Sequence, residues 1–366
     1  MKKPLLSGCL FVFLTGTKLI AQISGNGAAI PYTPVPFLII SPDARSSAMG
    51  ETGVASSPDA NATYWNAAKL TFAERDFGAS VSYTPWLPKL VDNLWLGYAS
   101  VYKKIGKGQA IAGSVNYYKD GGGYSTDSKH PYDISLNATY ARQLGRNFSM
   151  GLTMKYISSN LAGQGFVSGT AVETSNVIAA DISAFYRKQI INDPNGKNLT
   201  YTFGAVLSNL GGKVSYGPAY RSGYIPTTFK LGGGVSISPN VSNRFNFIVD
   251  ASKLLIPTNS LNVNNQSAFQ GMIKSFSDAP GGLKEELEEV ALSFGGEYWY
   301  KSAFALRAGY HTESKNKTNL KYATVGAGLL ILKNYGADFS YMIPVVKGSP
   351  YSETMRFTIS AYLGKI

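Results

Sequence analysis

Cysteine, histidine and charged residues are scarce in this sequence of 366 residues, which has one Cys, two His and 15% Asp, Glu, Lys and Arg. So little cysteine excludes a disulfide-stapled domain, and the lack of a Cys/His cluster predicts that no metal is bound. Beyond its first residues the sequence has no long uncharged apolar stretch, and its mean hydropathy is −0.05. This combination excludes a helical membrane protein.

Glycine and aromatic residues are abundant instead, with 39 Gly, 24 Tyr, 18 Phe and 4 Trp. Aromatic residues favour strands, and glycine is typical of turns, bulges and places where two backbones approach closely. The glycine runs at 121–123 and 232–234 lack the Lys, Ser or Thr of a phosphate-binding loop, so no cofactor is predicted. The composition favours an all-β fold.

The first 21 residues have the pattern of a secretory signal peptide. Two lysines precede an apolar core between Leu5 and Leu14, and Ala21 lies where cleavage is expected. The alternative is a lipoprotein anchored at Cys9, but almost no apolar run precedes that residue. We therefore predict a signal peptide at 1–21 and an exported chain without cysteine.

The chain is basic, with a formal net charge of +12. Removal of residues 1–21 deletes Lys2, Lys3 and Lys18 and no acid, which leaves +9. No Lys/Arg cluster reaches the density of a nucleic-acid footprint, and the densest lies at 103–107. The sequence predicts no nucleic-acid partner, and the charge alone identifies no other partner.

The stretch from residue 22 to 76 is rich in proline and small residues and has no sustained alternation of apolar and polar residues. Ser41, Pro42 and Asp43 form a helix-start pattern, with Ser41 as the capping residue and Pro42 at the first helical position. Gly50 and Gly53 are expected to end that helix. We predict an irregular segment with one or two short helices.

From residue 77 to the C-terminus, apolar and polar residues alternate with a period of two, which is typical of strands with one apolar face. About fourteen strands are predicted, centred near residues 80, 98, 113, 138, 152, 182, 204, 231, 247, 295, 308, 326, 338 and 358. Long connections alternate with short turns, as in an outer-membrane barrel. A soluble sandwich or propeller would also alternate, but aromatic residues near strand ends, such as Tyr132 and Tyr140, favour a membrane.

The predicted fold is therefore all-β, a transmembrane antiparallel β-barrel of about 14 strands over residues 77–366. Hydrocarbon offers no water to backbone groups, so a sheet crosses a membrane only as a closed barrel. A barrel of this size encloses more space than its wall side chains fill. Residues 22–76 are expected to occupy that lumen as a hatch. The protein is expected in the outer membrane, in contact with its lipid and lipopolysaccharide.

Two stretches resemble a known family. Residues 37–50 read FLIISPDARSSAMG and are followed by YWN at 64–66, while residues 277–287 read SDAPGGLKEEL. Both are similar to the PorV family of outer-membrane barrels of the bacterial type IX secretion system, which resembles the FadL-like barrels. The resemblance implies fourteen strands and a hatch, in which we single out Pro42, Asp43, Arg45, Trp65 and Asn66. The Asn-Pro-Ala usual in such hatches reads NAA at 66–68 here, where Asn66 can still cap a short helix.

The resemblance implies a component of protein export rather than an enzyme. Such proteins bind the giant translocon barrel and the C-terminal signal domain of secreted cargo, and they carry cargo to a surface attachment complex. The alternative is a FadL-like channel for hydrophobic small molecules. His311, at a strand end, is the residue placed as the base of a membrane-interface esterase, and no nucleophile or acid matches it in the sequence. We therefore predict no catalytic residues.

The long connection at 253–289 is expected outside the cell, and its apolar residues fall at helical spacing. They are Phe269, Met272, Ile273 and Phe276, followed after a Pro-Gly-Gly break by Leu283 and Leu287. An apolar helix face on an exposed loop needs a partner surface. These six residues are therefore predicted to bind the translocon or the cargo. The alternative is that the face folds back over the barrel mouth.

Overall fold

The structure is a computed structural model, which describes residues 33–119, 131–161, 166–167, 170–193, 196–218, 220, 222–257, 266–346 and 354–364. The predicted signal peptide at 1–21 and the first part of the predicted hatch, 22–32, lie outside the described residues.

Fourteen strands form a closed antiparallel barrel in which each strand pairs with its neighbour in the chain and the last pairs with the first. They are β1 (Phe77–Pro85), β2 (Trp95–Gly106), β3 (Gln109–Lys119), β4 (Tyr132–Gln143), β5 (Phe148–Asn160), β6 (Ser175–Asn192), β7 (Asn198–Gly211), β8 (Thr228–Asn240), β9 (Asn243–Leu254), β10 (Val290–Tyr300), β11 (Phe304–Thr312), β12 (Lys321–Ile331), β13 (Tyr335–Pro344) and β14 (Met355–Leu363). The predicted barrel is confirmed, and each predicted strand centre lies within one of these strands. Two further pairs of short strands, Phe166–Val167 with Thr170–Ala171 and Lys213–Val214 with Gly223–Tyr224, lie in connections predicted to be loops.

The two faces of the barrel wall differ in polarity. The outward face carries exposed apolar side chains, such as Val81 on β1 and its neighbour Ile359 on β14. The inward face carries small polar side chains, and the buried Ser80 and Ser100 hydroxyls share a hydrogen bond of 2.9 Å between β1 and β2. Because the barrel closes on itself, no strand edge is left unpaired. Apolar outside and polar inside is the arrangement expected in lipid.

The connections separate into two rims. Neighbouring short turns are joined by backbone hydrogen bonds, including Lys301 N–H to the Ser242 carbonyl at 2.6 Å and Leu330 N–H to the Ala303 carbonyl at 2.7 Å. These bonds, with the strand order, place the six short turns and both ends of the barrel chain on one side, here called the short-turn rim. The other connections form the long-loop rim.

Residues 33–73 contact strands on all sides of the barrel and therefore lie within the space that it encloses. Hydrogen bonds join this internal segment to Ser100 on β2, Ser183 on β6, Asp250 on β9, Glu297 on β10 and Thr358 on β14. Its short helices are α1 (Ala44–Ala48), α2 (Ala62–Trp65) and the 3-10 turns Pro36–Ile39 and Ala67–Phe72.

The first helix of the internal segment begins later than predicted. Asp43, not Ser41, is its N-cap, because Asp43 has an extended backbone and its carboxylate accepts from Ser46 N–H at 2.9 Å. The Ser41 hydroxyl instead shares a hydrogen bond with that of Ser47. Asn66 caps the Ala67–Phe72 turn by accepting from Ala68 N–H at 3.1 Å, as predicted.

An apolar cluster closes the long-loop end of the internal segment. Buried Phe37 and Leu38 pack with Trp86 and Leu94 from the connection after β1, and with Tyr216 from the connection after β7. Within the described ranges, no helix is both long and apolar enough to cross a membrane.

Candidate functional site

Two short helices stand on the long-loop rim between β9 and β10. The helix α3 (Ala268–Lys274) begins with a capping box, in which the Ser267 hydroxyl accepts from Gln270 N–H and the Gln270 side chain accepts from Ser267 N–H, both at 3.2 Å. The helix α4 (Leu283–Glu288) follows Gly282, whose φ of +66° favours glycine.

Five of the six predicted docking residues are exposed to solvent on α3, on α4 and in the turn after α3. Exposed fractions are 65% for Phe269, 54% for Ile273, 51% for Phe276, 77% for Leu283 and 64% for Leu287, and these five form what we call the apolar ridge. The sixth predicted residue, Met272, is half-buried. Phe276 lies in the turn after α3 rather than on the helix, because the helix ends at Lys274.

The opposite side of α3 is fixed to the barrel mouth. Gly271 is buried there, and a Cβ at this position would meet the Tyr224 ring at 3.0 Å and Pro257 at 3.2 Å. The Tyr224 hydroxyl donates to the Gln266 carbonyl at 3.4 Å. A small residue in the middle of α3 therefore lets the helix lie directly on the loops, with Phe269 and Ile273 facing away.

An ionic clamp of Lys253, Lys317, Glu285, Glu286 and Glu289 fixes α4. Lys253, at the end of β9, pairs with Glu286 at 2.7 Å and Glu289 at 2.5 Å. Lys317, from the connection after β11, pairs with Glu285 at 2.7 Å and Glu289 at 2.9 Å. Both lysine side chains are about nine-tenths buried.

Glu285, Glu286 and Lys317 of the clamp have pKa values shifted toward their charged forms. Burial acts to raise the pKa of Glu286, but the bonds from Lys253 and from Ala279 N–H outweigh it and hold that pKa below its usual value. The bond from Lys317 holds the pKa of Glu285 low. Burial acts to lower the pKa of Lys317, and the bonds to Glu285 and Glu289 raise it instead.

The helix α4 is thus amphipathic, but its apolar side faces solvent and its charged side faces the barrel. Glu285 and Glu286 face the barrel and are paired with lysines, while Leu283 and Leu287 face solvent. A helix on a globular protein ordinarily buries its apolar side. The ion pairs therefore hold the apolar face of α4 outward.

The predicted hatch residues lie in the internal segment, where Asp43 and Trp65 meet. The Asp43 carboxylate accepts from Trp65 Nε1 at 2.5 Å, and its backbone neighbour Pro42 is buried. Burial raises the pKa of Asp43 to about 6, with the negative charge of Asp59 acting in the same direction. Asn66 Nδ2 donates to the Val54 carbonyl at 2.9 Å, besides capping its helix.

The remaining predicted hatch residue, Arg45, is the first member of a buried ionic network. Arg45 pairs with Asp59 at 2.8 Å and with Glu297 of β10 at 2.9 Å. Glu297 also pairs with Arg307 of β11 at 2.8 Å, and Arg307 with Asp338 of β13 at 2.6 Å. Sequence reasoning missed Glu297, Arg307 and Asp338. The sequence did contain a signal, because each of these three is a single charged residue at an inward position of a strand that is otherwise uncharged.

Wall glycines explain how the internal segment approaches the strands so closely. A Cβ on Gly309 of β11 would overlap the backbone of Gly50, and one on Gly326 of β12 would overlap the Ala48 side chain. Any larger residue at these positions would push the segment away from the wall. Part of the high glycine content therefore serves backbone contact inside the barrel.

His311 has neighbours that the sequence did not show. Its Nδ1 lies 2.9 Å from the Ser293 hydroxyl, its Nε2 lies 3.2 Å from Glu313 Oε1, and its ring stacks on Tyr322. Glu313 is two residues away in the chain, whereas the proximity of Ser293 comes from the pairing of β10 with β11. Serine hydrolases face the nucleophile with Nε2, whereas Nδ1 faces it here, and Ser293 is 6% exposed. Among the described residues, no group of three His, Cys, Asp or Glu could hold a metal ion.

Similar solved structures are barrels of low sequence identity. The CymD monoaromatic hydrocarbon channel matches with a TM-score of 0.51 and 13% identity, over 89% of this chain and 98% of that one. The toluene transporter TbuX of Ralstonia pickettii matches at 0.46 and 13%, over 92% and 99%. TodX of Pseudomonas putida matches at 0.48 and 12%, over 91% and 98%. The CymD match supports the barrel fold.

No curated protein matches the sequence. A family model does, described as type IX secretion system protein PorV, over residues 24–261, which is well over half of the chain. The match ends before α3 and α4, so it gives no information about the ridge. With the closed barrel, the family places the protein in the outer membrane and in a secretion system. The chain belongs to the PorV family of type IX secretion system proteins.

Proposed function

We propose that this chain is a non-enzymatic docking component whose apolar ridge, facing outside the cell, binds the translocon barrel and the C-terminal signal domain of cargo. It then carries the cargo to the surface attachment complex. Membership of the PorV family supports a role in type IX secretion. The single observation that carries the docking step is the ridge itself, five large apolar side chains at least half exposed.

The ridge is formed before a partner arrives. The ionic clamp and the capping box hold α3 and α4 in place, so binding does not have to order the helices. Preorganisation raises affinity because less conformational freedom is lost on association. A groove lined by apolar side chains, or the lipid-facing wall of a second barrel, would cover such a surface.

The size of the ridge favours an exchanged contact over a permanent one. Full burial of a large apolar side chain is worth about 1.5–3 kcal/mol, so covering the exposed parts of five supplies on the order of 5–9 kcal/mol. Association costs a comparable amount, although confinement of both partners to one membrane reduces it. Binding that exchanges is what a carrier of cargo requires.

The internal segment is proposed to act as a hatch, with residues 22–76 as its extent. Its hydrogen bonds to five strands and its buried ionic network support a segment that stays in place. The alternative function is a channel for hydrophobic small molecules, as CymD is for monoaromatic hydrocarbons. It has less support here, because the internal segment is hydrogen-bonded to strands around the whole barrel. One space that remains, beside Lys230 and Trp65, is about 10 Å³, which is room for one water.

The docking proposal is tested by the double variant Phe269→Asp with Leu287→Asp, expressed as the full chain. Charges on the ridge should reduce the amount of translocon and cargo that co-purifies from outer membranes by about tenfold or more. The control Lys284→Asp adds a negative charge to the same exposed helix beside the ridge and should leave the yield unchanged. Heat-modifiable migration shows that each barrel has folded. Equal yields for all three proteins would remove the ridge from the mechanism.

A further inference from the structure

The positive charge of the chain is collected on the short-turn rim. Five of the six short turns supply a cation, namely Lys107, Arg146, Lys197, Lys301 and Lys333. Seven more lie on the adjoining strand ends and chain entry: Arg75, Lys103, Lys104, Arg142, Arg187, Lys188 and Arg244. We call these twelve residues the basic rim. The described acids there are Glu74, Asp76 and Asp193.

Twelve cations against three acids give the rim a formal charge of +9, which equals the charge of residues 22–366. The remainder of those residues is therefore neutral. The twelve are spread from residue 75 to 333, so no stretch of sequence shows them together. The barrel topology brings them together at one rim, so the sequence alone did not show that the charge is concentrated there.

The charges of the basic rim are uncompensated. Within the described part of the chain, none of the twelve forms an ion pair with an acidic side chain. Arg75 and Lys104 donate to backbone carbonyls, which leaves their net charge in place. On the long-loop rim, by contrast, Lys253 and Lys317 are held by three glutamates.

The spacing makes the rim a continuous positive ring. Fourteen strands about 4.8 Å apart and tilted by about 40° give a perimeter of roughly 90 Å, so the mean separation of twelve cations is roughly 7 Å. The Debye length at physiological salt is about 8 Å. The potentials of neighbouring cations therefore overlap around the whole barrel.

Aliphatic side chains alternate with the cations. Exposed fractions near the turn tips are 48% for Ile105, 59% for Leu144, 49% for Ile190, 77% for Val241 and 81% for Leu332. At five of the six short turns, the turn and its adjoining strand ends thus combine a cation with an exposed aliphatic group. At a membrane interface the aliphatic group enters the acyl boundary, while the ammonium or guanidinium group meets phosphate.

We propose that the basic rim binds the phosphate headgroups of anionic phospholipids in the membrane leaflet on the short-turn side. A ring that surrounds the barrel matches a leaflet, which also surrounds it, whereas a docked protein would need a patch on one side. Lys103 and Arg142 continue the outward rows of Val101 and Tyr140, so their charges face the lipid. This binding is independent of the ridge and fixes the depth and orientation of the barrel.

The test measures which lipid surrounds the full-length barrel in vesicles of equal phosphatidylglycerol and phosphatidylcholine, using spin-labelled lipids of each type. Wild type should enrich phosphatidylglycerol about threefold or more over phosphatidylcholine at about 0.15 M salt, and lose most of that enrichment at about 1 M salt. A rim variant with Lys107, Arg146, Lys301 and Lys333 all changed to Gln should approach equal association.

The matched control changes Lys274, Lys284, Lys315 and Lys321 to Gln and removes the same formal charge from the long-loop rim. It should keep the wild-type enrichment, and heat-modifiable migration confirms folding of each variant. Equal loss in the two variants, or no preference in wild type, overturns the proposal. Capture of an acidic envelope protein by the rim without any lipid preference would also overturn it.

Discussion

The internal segment, residues 33–73, and the two helices of the ridge, residues 266–289, are both short irregular pieces that ion pairs hold against the same barrel. The internal segment turns its apolar side chains toward the barrel, whereas the ridge helices turn theirs away from it. The internal segment buries its apolar side chains, as Phe37 and Leu70 show with no exposed surface. The ridge exposes Phe269 and Leu287 and turns its charges inward.

From this difference we expect the internal segment to contribute to stability and the ridge to contribute to recognition. The ion pairs of the internal segment lie where water is excluded, so an unpaired charge there would be costly. The ionic clamp lies at the barrel mouth, where its carboxylates keep 9–27% of their side-chain surface exposed, so the loss of one of its charges should cost less than the loss of a charge inside the barrel. Changes inside the barrel should therefore affect folding, whereas changes on the ridge should affect binding alone.

The largest expected effect is that of Glu297→Gln, which leaves Arg45 and Arg307 without their shared carboxylate. Removal of one partner from a buried ion pair costs about 3–5 kcal/mol, so the free energy of unfolding in urea should fall by that amount. The control Glu288→Gln affects a carboxylate bonded to exposed Asn316 and should cost less than about 0.5 kcal/mol. Similar losses for both would contradict the contrast between the buried carboxylate of Glu297 and the half-buried carboxylate of Glu288.

The next effect comes from Gly309→Ala, which would force the internal segment off the wall at Gly50. Overpacking of this kind costs about 1–3 kcal/mol. Gly296→Ala on the neighbouring strand has its nearest contact at 3.9 Å and should be tolerated. Thermal unfolding of both variants tests this contrast, which fails if Gly309→Ala is as stable as Gly296→Ala.

A smaller effect is expected from pH, through Asp43. Its pKa is about 6 in the folded protein, against 3.8 as the ordinary value, so the folded state binds the proton more tightly. The resulting stability is complete below about pH 4 and is lost as the pH rises through 6. Between about pH 7.5 and 5 wild type should gain about 1.4 kcal/mol relative to Asp43→Asn. Parallel profiles in urea titrations would contradict this.

The clamp should not take part in that change. The pKa values of Glu285 and Glu286 lie below their usual range and that of Lys317 lies above. These groups stay charged between pH 5 and 7.5, so docking should stay constant while the stability of the internal segment changes. This separates the two regions within one experiment.

The barrel could be predicted from the sequence because alternation is a local property. Within β1 alone, the alternation of apolar Val81 with polar Ser82 indicates which side chains face outward and which face inward. The cap of Asn66 was predictable for the same reason, since its partner Ala68 is two residues away. The start of α1 was misassigned because Ser41 and Asp43 are both good caps and the sequence does not rank them.

The contacts that hold the segments were beyond the sequence. Arg45 and Glu297 are 252 residues apart, and only the closed topology shows that they meet. The positions of Phe269 and Ile273 on one helix face were predictable from their spacing. The direction in which that face points depends on the packing of Gly271 against Tyr224, which belongs to another connection.

The central claim is that the ridge is a docking surface held outward by the clamp, and a binding titration of purified full-length chain against purified translocon barrel tests it most directly. The account predicts that Phe269→Asp with Leu287→Asp weakens binding by about tenfold or more, and that Lys317→Met weakens it less, by loosening α4. Lys284→Gln should bind as wild type does, and all the variants should unfold like wild type. Wild-type affinity in the ridge variant, with its barrel intact, would contradict the account.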